Sequence, residues 1–421
     1  MSSFDKPHLY PSSTVIGKGT YKTVVSATNV KEGQYVAFGI ESNVPPENVA
    51  VAFCRITNVN PGKRVIDEIL LQDVFSKKTP QMAPYIYGVV IHSKKDNYIR
   101  RYVGESLSTI RDSYIGDTFF IYQQKCDSSL DKHIKANIEG IGGRAREYIE
   151  RDTESLLENT HSSIKELFNN IVDIGYINMD IKAENICHFN GKDDANGNTI
   201  SKPSNIGLDV DPAFVIPFVK KIRESTITIE SQETTIKQFS TYAKIFMLIE
   251  YYLLFLEKYP QYIKIVSELL NRESIDNTKI NDVLNFMKLM EKENIFKYEN
   301  ENFTPVSMIK HYLSYHLKKN ESDALVLLRG MDIPTLSNKL CKYLGLSESS
   351  ASGNSGAASD KPGAESGKDA ESGNSGAASG NPGGSRRAGS KNAFSRRRSR
   401  KVKSKKKHLN KRGHKTINAR T

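Results

Sequence analysis

Few cysteines, no long apolar run and no acidic residue near the C-terminus characterise this chain of 421 residues. The four cysteines lie far apart and form no CxxC pair. This spacing argues against a zinc site and against a disulfide framework, and it predicts free thiols in a reducing compartment. Residues 1–10 contain no apolar run, so no secretory signal is predicted. The cysteines are Cys54, Cys126, Cys187 and Cys341.

The most apolar segment, Ile245–Leu256, has only a dozen residues, and Glu250 is one of them. A helix that spans a membrane needs about 20 predominantly apolar residues. The segment therefore predicts a buried helix and no membrane span. Together with the absent secretory signal, the predicted free thiols place the protein inside a cell, in the cytoplasm or the nucleus.

The C-terminal part of the chain changes composition twice. Residues 347–384 are rich in Gly, Ser, Ala and Asn and repeat the motif SGNSGAAS, which predicts a flexible, disordered linker. Residues 385–421 contain 16 Lys and Arg and no Asp or Glu. Because the whole chain carries +12, residues 1–384 carry −4. The basic tail predicts non-specific nucleic-acid binding, and the alternatives are a nuclear localisation signal, an anchor for an acidic partner or a solubilising charge run.

The remaining residues, 8–346, predict one α+β domain. Its first third contains β-branched and aromatic runs separated by Gly, Asn and Pro, as strands do, with one helical pattern over 65–75. After Leu130 the periodicity is helical. The predicted strands are 14–16, 23–27, 35–40, 49–56, 86–92 and 118–123, and the later helical patterns lie at 164–172, 242–256, 260–271, 279–293, 304–317 and 333–344.

The most informative motif is the segment 178–185, which reads NMDIKAEN. Asp180, Lys182 and Asn185 have the D-x-K-x-x-N spacing of the catalytic loop of protein kinases. In that chemistry the Asp accepts the proton of the substrate hydroxyl, the Lys neutralises the moving phosphoryl group and the Asn binds a metal ion. The alternative is a polar turn after a helix, because this pattern also arises by chance.

Two glycines lie between the first two predicted strands, in GKGTYKTV at 17–24. Gly17 and Gly19 would let the backbone approach phosphates, and Val24 would cover an adenine. The third glycine of the G-x-G-x-x-G-x-V pattern is Lys22 in this chain. An ordinary hairpin turn is the alternative. In the next strand the V-A-x-K pattern has Cys54 in place of the lysine, and neighbouring Arg55 cannot replace it because adjacent strand residues point to opposite faces.

A lysine in the glycine-rich loop combined with a cysteine in the third strand resembles the with-no-lysine kinases. The resemblance implies a bilobal kinase-like fold, with a β-rich N-lobe at about 8–122 and a helical C-lobe at about 126–346. It also implies that Lys22 holds the phosphates of ATP and pairs with Glu68, although the adjacent Asp67 leaves that choice open. The predicted ATP-binding residues are Gly17, Lys18, Gly19, Thr20, Tyr21, Lys22, Val24, Glu68, and Gln123 and Lys125 of the linker between the lobes.

The resemblance also implies a second magnesium ligand in a D-F-G-like turn, which reads D-V-D in this chain. Asp209 is the preferred Mg²⁺ ligand beside Asn185, and Asp211 is the alternative. The polar stretch at 190–205 predicts a solvated hairpin rather than a calcium site. The His-Arg before Asp180 and the A-P-E motif after Asp209 are absent. These degenerate flanks resemble the kinases of large DNA viruses, which would extend the localisation to a host cell or a virion.

The sequence thus predicts a serine/threonine protein kinase that uses ATP and Mg²⁺ and acts on a protein substrate. The Lys in D-x-K is typical of serine/threonine specificity. One alternative is a pseudokinase scaffold bound to nucleic acid through residues 385–421. Another is a small-molecule kinase of the same fold, which would explain the absent A-P-E.

Overall fold

The computed structural model describes residues 11–18, 22–27, 48–57, 59–95, 98–111, 115–141, 146–193, 199–201, 204–207, 209–299, 301–316 and 330–346. These residues all belong to one compact unit, which ends at Gly353. The fold is a mixed α/β arrangement with an N-terminal antiparallel sheet followed by helices. The predicted linker and basic tail lie outside the described residues, as do Gly19, Thr20 and Tyr21.

Six strands form the N-terminal sheet in the order β1-β2-β3-β6-β4-β5, and all their pairings are antiparallel. The central strand β3 is apolar almost throughout because both of its faces are covered. Ala52 and Cys54 contact one hydrophobic cluster, whereas Val49 and Val51 contact another on the opposite face. The strands are β1 (Pro11–Lys18), β2 (Thr23–Ala27), β3 (Val49–Arg55), β4 (Ile86–Ser93), β5 (Tyr98–Tyr102) and β6 (Thr118–Gln124).

Helix α1 (Val59–Ser76) packs on the face of the sheet that carries Cys54. Val65, Ile66 and Ile69 supply its buried contacts, at the spacing that predicted this helix. The strands predicted at 14–16, 23–27, 49–56, 86–92 and 118–123 are confirmed to within a few residues. The strand predicted at 35–40 lies outside the described residues, and strand β5 was not predicted.

The helical part encloses the largest hydrophobic cluster. All of the helical patterns predicted after Leu130 correspond to helices there. The helices are α2 (Leu130–Ile141), α3 (Arg146–Asp173), α4 (Phe218–Arg223), α5 (Ile229–Lys258), α6 (Ile263–Arg272), α7 (Asn277–Lys292), α8 (Pro305–His316) and α9 (Ile333–Leu344).

Short strands connect these helices. The predicted hairpin at 190–205 is present as an antiparallel pair, β10 with β11. The strands are β7 (Ser128–Ser129), β8 (Ile177–Asn178), β9 (Ile186–Phe189), β10 (Lys192–Asp193), β11 (Thr199–Ser201), β12 (Ser204–Gly207), β13 (Val215–Ile216), β14 (Lys297–Tyr298) and β15 (Glu301–Asn302).

Helix α5 begins well before the predicted helical pattern at 242–256. The apolar pattern did not indicate the N-terminal half, because that half is polar. By length and composition alone, Glu230–Lys258 could cross a membrane. However, 67% of its most apolar window is buried inside the protein. Glu250 in this helix is fully buried, and within the described part of the chain neither of its carboxylate oxygens has a hydrogen-bond partner. Burial, with Asp180 nearby, raises the pKa of Glu250 well above its usual range.

The prediction that all four cysteines are free thiols is wrong for two of them. Cys126 and Cys187 form a disulfide, with their Cα atoms 5.6 Å apart. Strand β7 pairs with β9 so that Ser129 lies opposite Cys187, and this brings Cys126 within reach. A separation of 61 residues along the chain conceals such a tertiary contact. Cys54 and Cys341 are free and buried.

Reducing this disulfide is expected to lower the free energy of unfolding. In the chain-entropy model, a closed loop of this length reduces the conformational entropy of the unfolded chain, which raises the free energy of unfolding by about 4 kcal/mol. Native disulfides typically contribute about 2–4 kcal/mol. Urea unfolding of the wild type with and without dithiothreitol measures the difference. In the Cys126→Ser variant dithiothreitol should have no further effect. An equal response of the two proteins would contradict the prediction.

Candidate functional site

Lys22 and Glu68 form an ion pair between the start of β2 and helix α1. Their side chains are only 24% and 11% exposed, so solvent screens this pair less than a surface pair. Of the two acidic residues that the sequence offered, Glu68 therefore pairs with Lys22. Asp67 instead accepts a 2.7 Å hydrogen bond from the Tyr298 hydroxyl.

Cys54, which stands where the V-A-x-K pattern has lysine, is buried near Lys22. Its thiol is buried, and burial raises its pKa to about 11 although the nearby Lys22 charge opposes the shift. The thiol is therefore protonated at neutral pH. Val24 on β2 lies opposite Ala52 in the sheet register, and Gly17 lies opposite Val24. Gly17 and Val24 thus lie on the two strands that flank the loop with Lys22, and Ala52 lies beside Val24 on β3.

The segment that leads from β6 into the helical part is held by backbone and side-chain hydrogen bonds. The Gln124 and Lys125 amides donate to the carbonyls of Tyr85 and Asn48, both at 2.8 Å. The Gln123 side chain is buried, and its Oε1 accepts from Gln72 on α1 at 3.1 Å. Its carboxamide oxygen is thus engaged by the helix, a contact that the sequence did not predict.

The loop with Asp180 begins where α3 ends. Gly175 has a φ of +87°, and a Cβ there would lie 2.9 Å from Val219, so glycine is required at this turn. The side-chain oxygen of Asn178 then accepts a hydrogen bond from the Asp180 amide at 3.0 Å, which forms a tight polar turn. Met179 and Ile181 are buried, whereas Asp180 and Lys182 between and after them are only partly buried.

Asp180, Lys182 and Asn185 contact one another directly. The Lys182 ammonium lies 3.0 and 3.2 Å from the two carboxylate oxygens of Asp180. The Asn185 side-chain amide donates to Oδ2 of Asp180 at 2.7 Å. A carboxylate, an ammonium and an amide thus meet in one loop, and the amide oxygen of Asn185 is left as an acceptor.

Asp209 follows strand β12, and the charges of several of these residues act on its carboxylate. Burial raises the pKa of Asp209, the charge of Lys22 opposes the shift, and Asp211 and Asp180 add to it. The charges of Lys22 and Asp180 therefore act on the same carboxylate, although their residues are far apart in sequence. Gly207 permits the close approach of β12, because its amide donates to the Met82 carbonyl at 2.8 Å and a Cβ would lie 3.2 Å from that oxygen.

The carboxylate of Asp211, the alternative Mg²⁺ ligand, already accepts hydrogen bonds from other residues of the protein. Arg64 of α1 donates from Nε to Oδ1 at 2.8 Å and to Oδ2 at 3.1 Å, and its Nη2 donates to Oδ2 as well. The Ala213 amide donates to Oδ1 at 3.0 Å. In the described part of the chain, no hydrogen bond or ion pair occupies the carboxylate of Asp209. The contacts therefore favour Asp209 over Asp211 as the group available to a cation.

Side-chain oxygens from Asn185 and Asp209 suit Mg²⁺, which prefers hard oxygen ligands. The negative charges of Asp211 and Asp180 act on the carboxylate of Asp209, and a divalent cation bound to Asp209 would offset this repulsion. Among the described residues, no group of three or more His, Cys, Asp or Glu forms a metal site by itself. A magnesium ion here would thus depend on the amide oxygen and on oxygens of a bound phosphate group.

Besides the Gln72–Gln123 hydrogen bond, three contacts and one buried charge near this site were not predicted from the sequence. Arg64 lies four residues before Glu68, so helical spacing could have placed both on one face. Glu250 was visible as a charge inside an apolar run. The Tyr312 hydroxyl on α8 lies 3.5 Å from Oδ1 of Asp180, and Glu184 pairs with Lys258. No local pattern signals these last two contacts, because they depend on how the helices pack.

Comparison of the chain with models of protein families and with curated proteins finds no match to either.

Proposed function

We propose that this protein is an ATP-dependent serine/threonine protein kinase with the bilobal fold of that superfamily. One observation carries the proposal. Lys22 pairs with Glu68, Asp180, Lys182 and Asn185 contact one another, and the charges of Lys22 and Asp180 both act on Asp209, so that four separate segments are brought together. Such convergence is not expected of a chance D-x-K-x-x-N turn. A six-stranded antiparallel sheet with one packed helix, followed by a helical part, supports the proposal, because it is the order of elements that the resemblance to kinases implies.

Each side chain has a role that follows from its charge and position. Lys22 would hold the nucleotide phosphates, with Glu68 fixing the direction of its ammonium group. Asp180 would orient the acceptor hydroxyl and accept its proton, while Lys182 offsets charge on the transferred phosphoryl group. Asn185 and Asp209 would hold Mg²⁺, which when bound neutralises charge on the phosphates. The Lys of the D-x-K pattern favours a serine or threonine acceptor.

A second candidate is a kinase of the same fold that acts on a small molecule. The chain between Asp211 and helix α4 consists only of residues 212–217, and part of it pairs with β8. So short a segment provides little surface for an extended peptide. Labelling of proteins as against small hydroxyl compounds by radiolabelled ATP separates the two candidates.

Replacing Lys22 by methionine is expected to lower kcat/KM for ATP by roughly 100-fold, the scale for loss of one charged group that stabilises a transferring phosphoryl group. Transfer of label from radioactive ATP to the protein itself and to a mixed protein substrate measures this loss. Lys77→Met is the matched control, because Lys77 is also ion-paired, with Asp73, but lies just after the end of α1 and is more exposed than Lys22.

Full activity of Lys22→Met would refute the role of this lysine without refuting the kinase proposal. Absence of labelling by the wild type, including self-labelling, would refute the kinase proposal itself. A deletion ending at Leu346 completes the set. If that deletion abolishes nucleic-acid binding and the wild type transfers no phosphate, the pseudokinase scaffold is the better description.

A further inference from the structure

Helix α1 presents two charged side chains to the site from one face. Arg64 and Glu68 are one helical turn apart and therefore project in the same direction. Glu68 pairs with Lys22, and Arg64 pairs with Asp211. A single helix thus contacts both the lysine of the loop and the turn that contains Asp209.

The Arg64–Asp211 contact has the geometry of a strong ion pair. Nε and Nη2 of the guanidinium face the two carboxylate oxygens, so the contact is bidentate. The side chains are only 17% and 19% exposed. Asp211 stands where the D-F-G pattern has glycine. Its carboxylate ties this turn to helix α1 through Arg64, whereas a glycine would leave the turn free to bend.

Backbone hydrogen bonds connect Asp211 to the loop that contains Asp180. The amides of Phe214 and Val215 both donate to the Asp211 carbonyl at 2.9 Å. The Phe214 carbonyl in turn accepts a hydrogen bond from the Met179 amide at 2.9 Å, and strand β13 pairs with β8. Movement of Asp211 would therefore displace the backbone on either side, at Asp209 and at Asp180.

Helix α1 is also held from the helical part of the protein. The hairpin of β14 and β15 places Tyr298 against Asp67 at 2.7 Å, and Lys63 pairs with Glu299. The second pair is largely exposed and contributes little. The Tyr298 bond is partly buried and fixes the outer side of the turn of helix that carries Arg64 and Glu68.

We propose that Arg64 is a positioning residue that acts through Asp211. Its ion pair holds the turn in the shape that leaves the Asp209 carboxylate free for a cation, and keeps α1 where Glu68 meets Lys22. The site is thus assembled without phosphorylation of the segment after Asp209. This inference rests on the proposed nucleotide site and adds to it a residue that acts through Asp211.

The test measures Mn²⁺ affinity in the presence of ATP, by electron paramagnetic resonance or calorimetry, for the wild type and Arg64→Ala. Simple electrostatics predicts tighter binding in Arg64→Ala, because removal of a positive charge leaves Asp211 unneutralised. A positioning role predicts the opposite, and we expect Mn²⁺ affinity to fall about 10-fold, which is the loss typical of outer-shell partners of a metal site.

Arg64→Lys sharpens the test, because it keeps the charge but loses the fork of donors. We expect an intermediate loss of affinity, whereas charge alone predicts no change. Arg223→Ala, which removes an exposed pair with Glu233, is the matched control and should bind as the wild type does. Thermal melting confirms that each variant is folded.

Unchanged or tighter Mn²⁺ binding by folded Arg64→Ala or Arg64→Lys would overturn the positioning role. A wild type that binds Mn²⁺ and ATP in an Arg64-dependent manner but transfers no phosphate would support the positioning role and refute the kinase proposal. A wild type that binds no Mn²⁺ with ATP would overturn both.

Discussion

Asp180→Asn is expected to lower kcat by about 10²- to 10⁴-fold, which is the range for removal of a general base. Asparagine keeps the shape of the side chain, but it cannot accept the proton of an acceptor hydroxyl. The effect should fall on kcat more than on the KM for ATP, because the other contacts of Asp180 are with Lys182, Asn185 and Tyr312 rather than with the predicted phosphate-binding lysine.

Steady-state labelling with radioactive ATP over a range of ATP concentrations separates the two parameters. Asp173→Asn is the matched control, because Asp173 also pairs with a lysine, Lys244, but is 62% exposed at the end of α3. A loss in Asp180→Asn no larger than in Asp173→Asn would contradict the assignment of Asp180 as the base.

Asp209→Asn is expected to lower the rate of phosphotransfer and at the same time to stabilise the protein in the absence of metal. Activity should fall by roughly 100-fold or more, because a ligand of a charge-neutralising ion is lost. Stability should rise because burial raises the pKa of Asp209, and a carboxyl group whose pKa is raised on folding loses stabilisation as the pH rises through that pKa. At neutral pH the ionised group therefore destabilises the wild type, on the order of 1 kcal/mol for an unpaired buried group.

Urea unfolding in EDTA between pH 3 and pH 8 tests the sign. The free energy of unfolding should decline less from acid to neutral pH in Asp209→Asn than in the wild type. With Mg²⁺ and ATP at 100 times the dissociation constant, the wild type should gain about 2.7 kcal/mol, and the variant should gain far less. Equal pH dependence of the two proteins would show that Asp209 carries no buried charge.

The parts of the fold and of the site that were predictable are those encoded by local patterns. The helical pattern over 65–75 predicted α1, and the nearly continuous apolar run of β3 fits a strand that is buried on both faces. The pairing of Lys22 with Glu68 was implied by the resemblance of the loop and the third strand to the with-no-lysine kinases, which left the adjacent Asp67 as the alternative. Whether the site has the proposed activity stays a prediction.

The parts that were not predictable depend on tertiary packing. Arg64 was overlooked although it lies one turn from Glu68, because nothing in the sequence indicates that Asp211 lies within its reach. The disulfide of Cys126 and Cys187 depends on the register of two short strands. Tyr312 reaches Asp180 only because α8 packs beside the loop, 132 residues away along the chain.

The hydrogen bond between Tyr298 and Asp67 has a consequence for the order in which the protein becomes complete. A ribosome makes Asp67 first and must add 231 residues before Tyr298 exists. At about 5–20 residues per second this takes roughly 10–50 s, during which α1 lacks its contact with the last hairpin. A nascent chain thus contains Lys22, the loop with Asp180 and the turn with Asp209 before it contains Tyr298, whose hydroxyl holds α1 through Asp67. The contacts of the candidate site are therefore complete only after translation has passed the hairpin of β14 and β15.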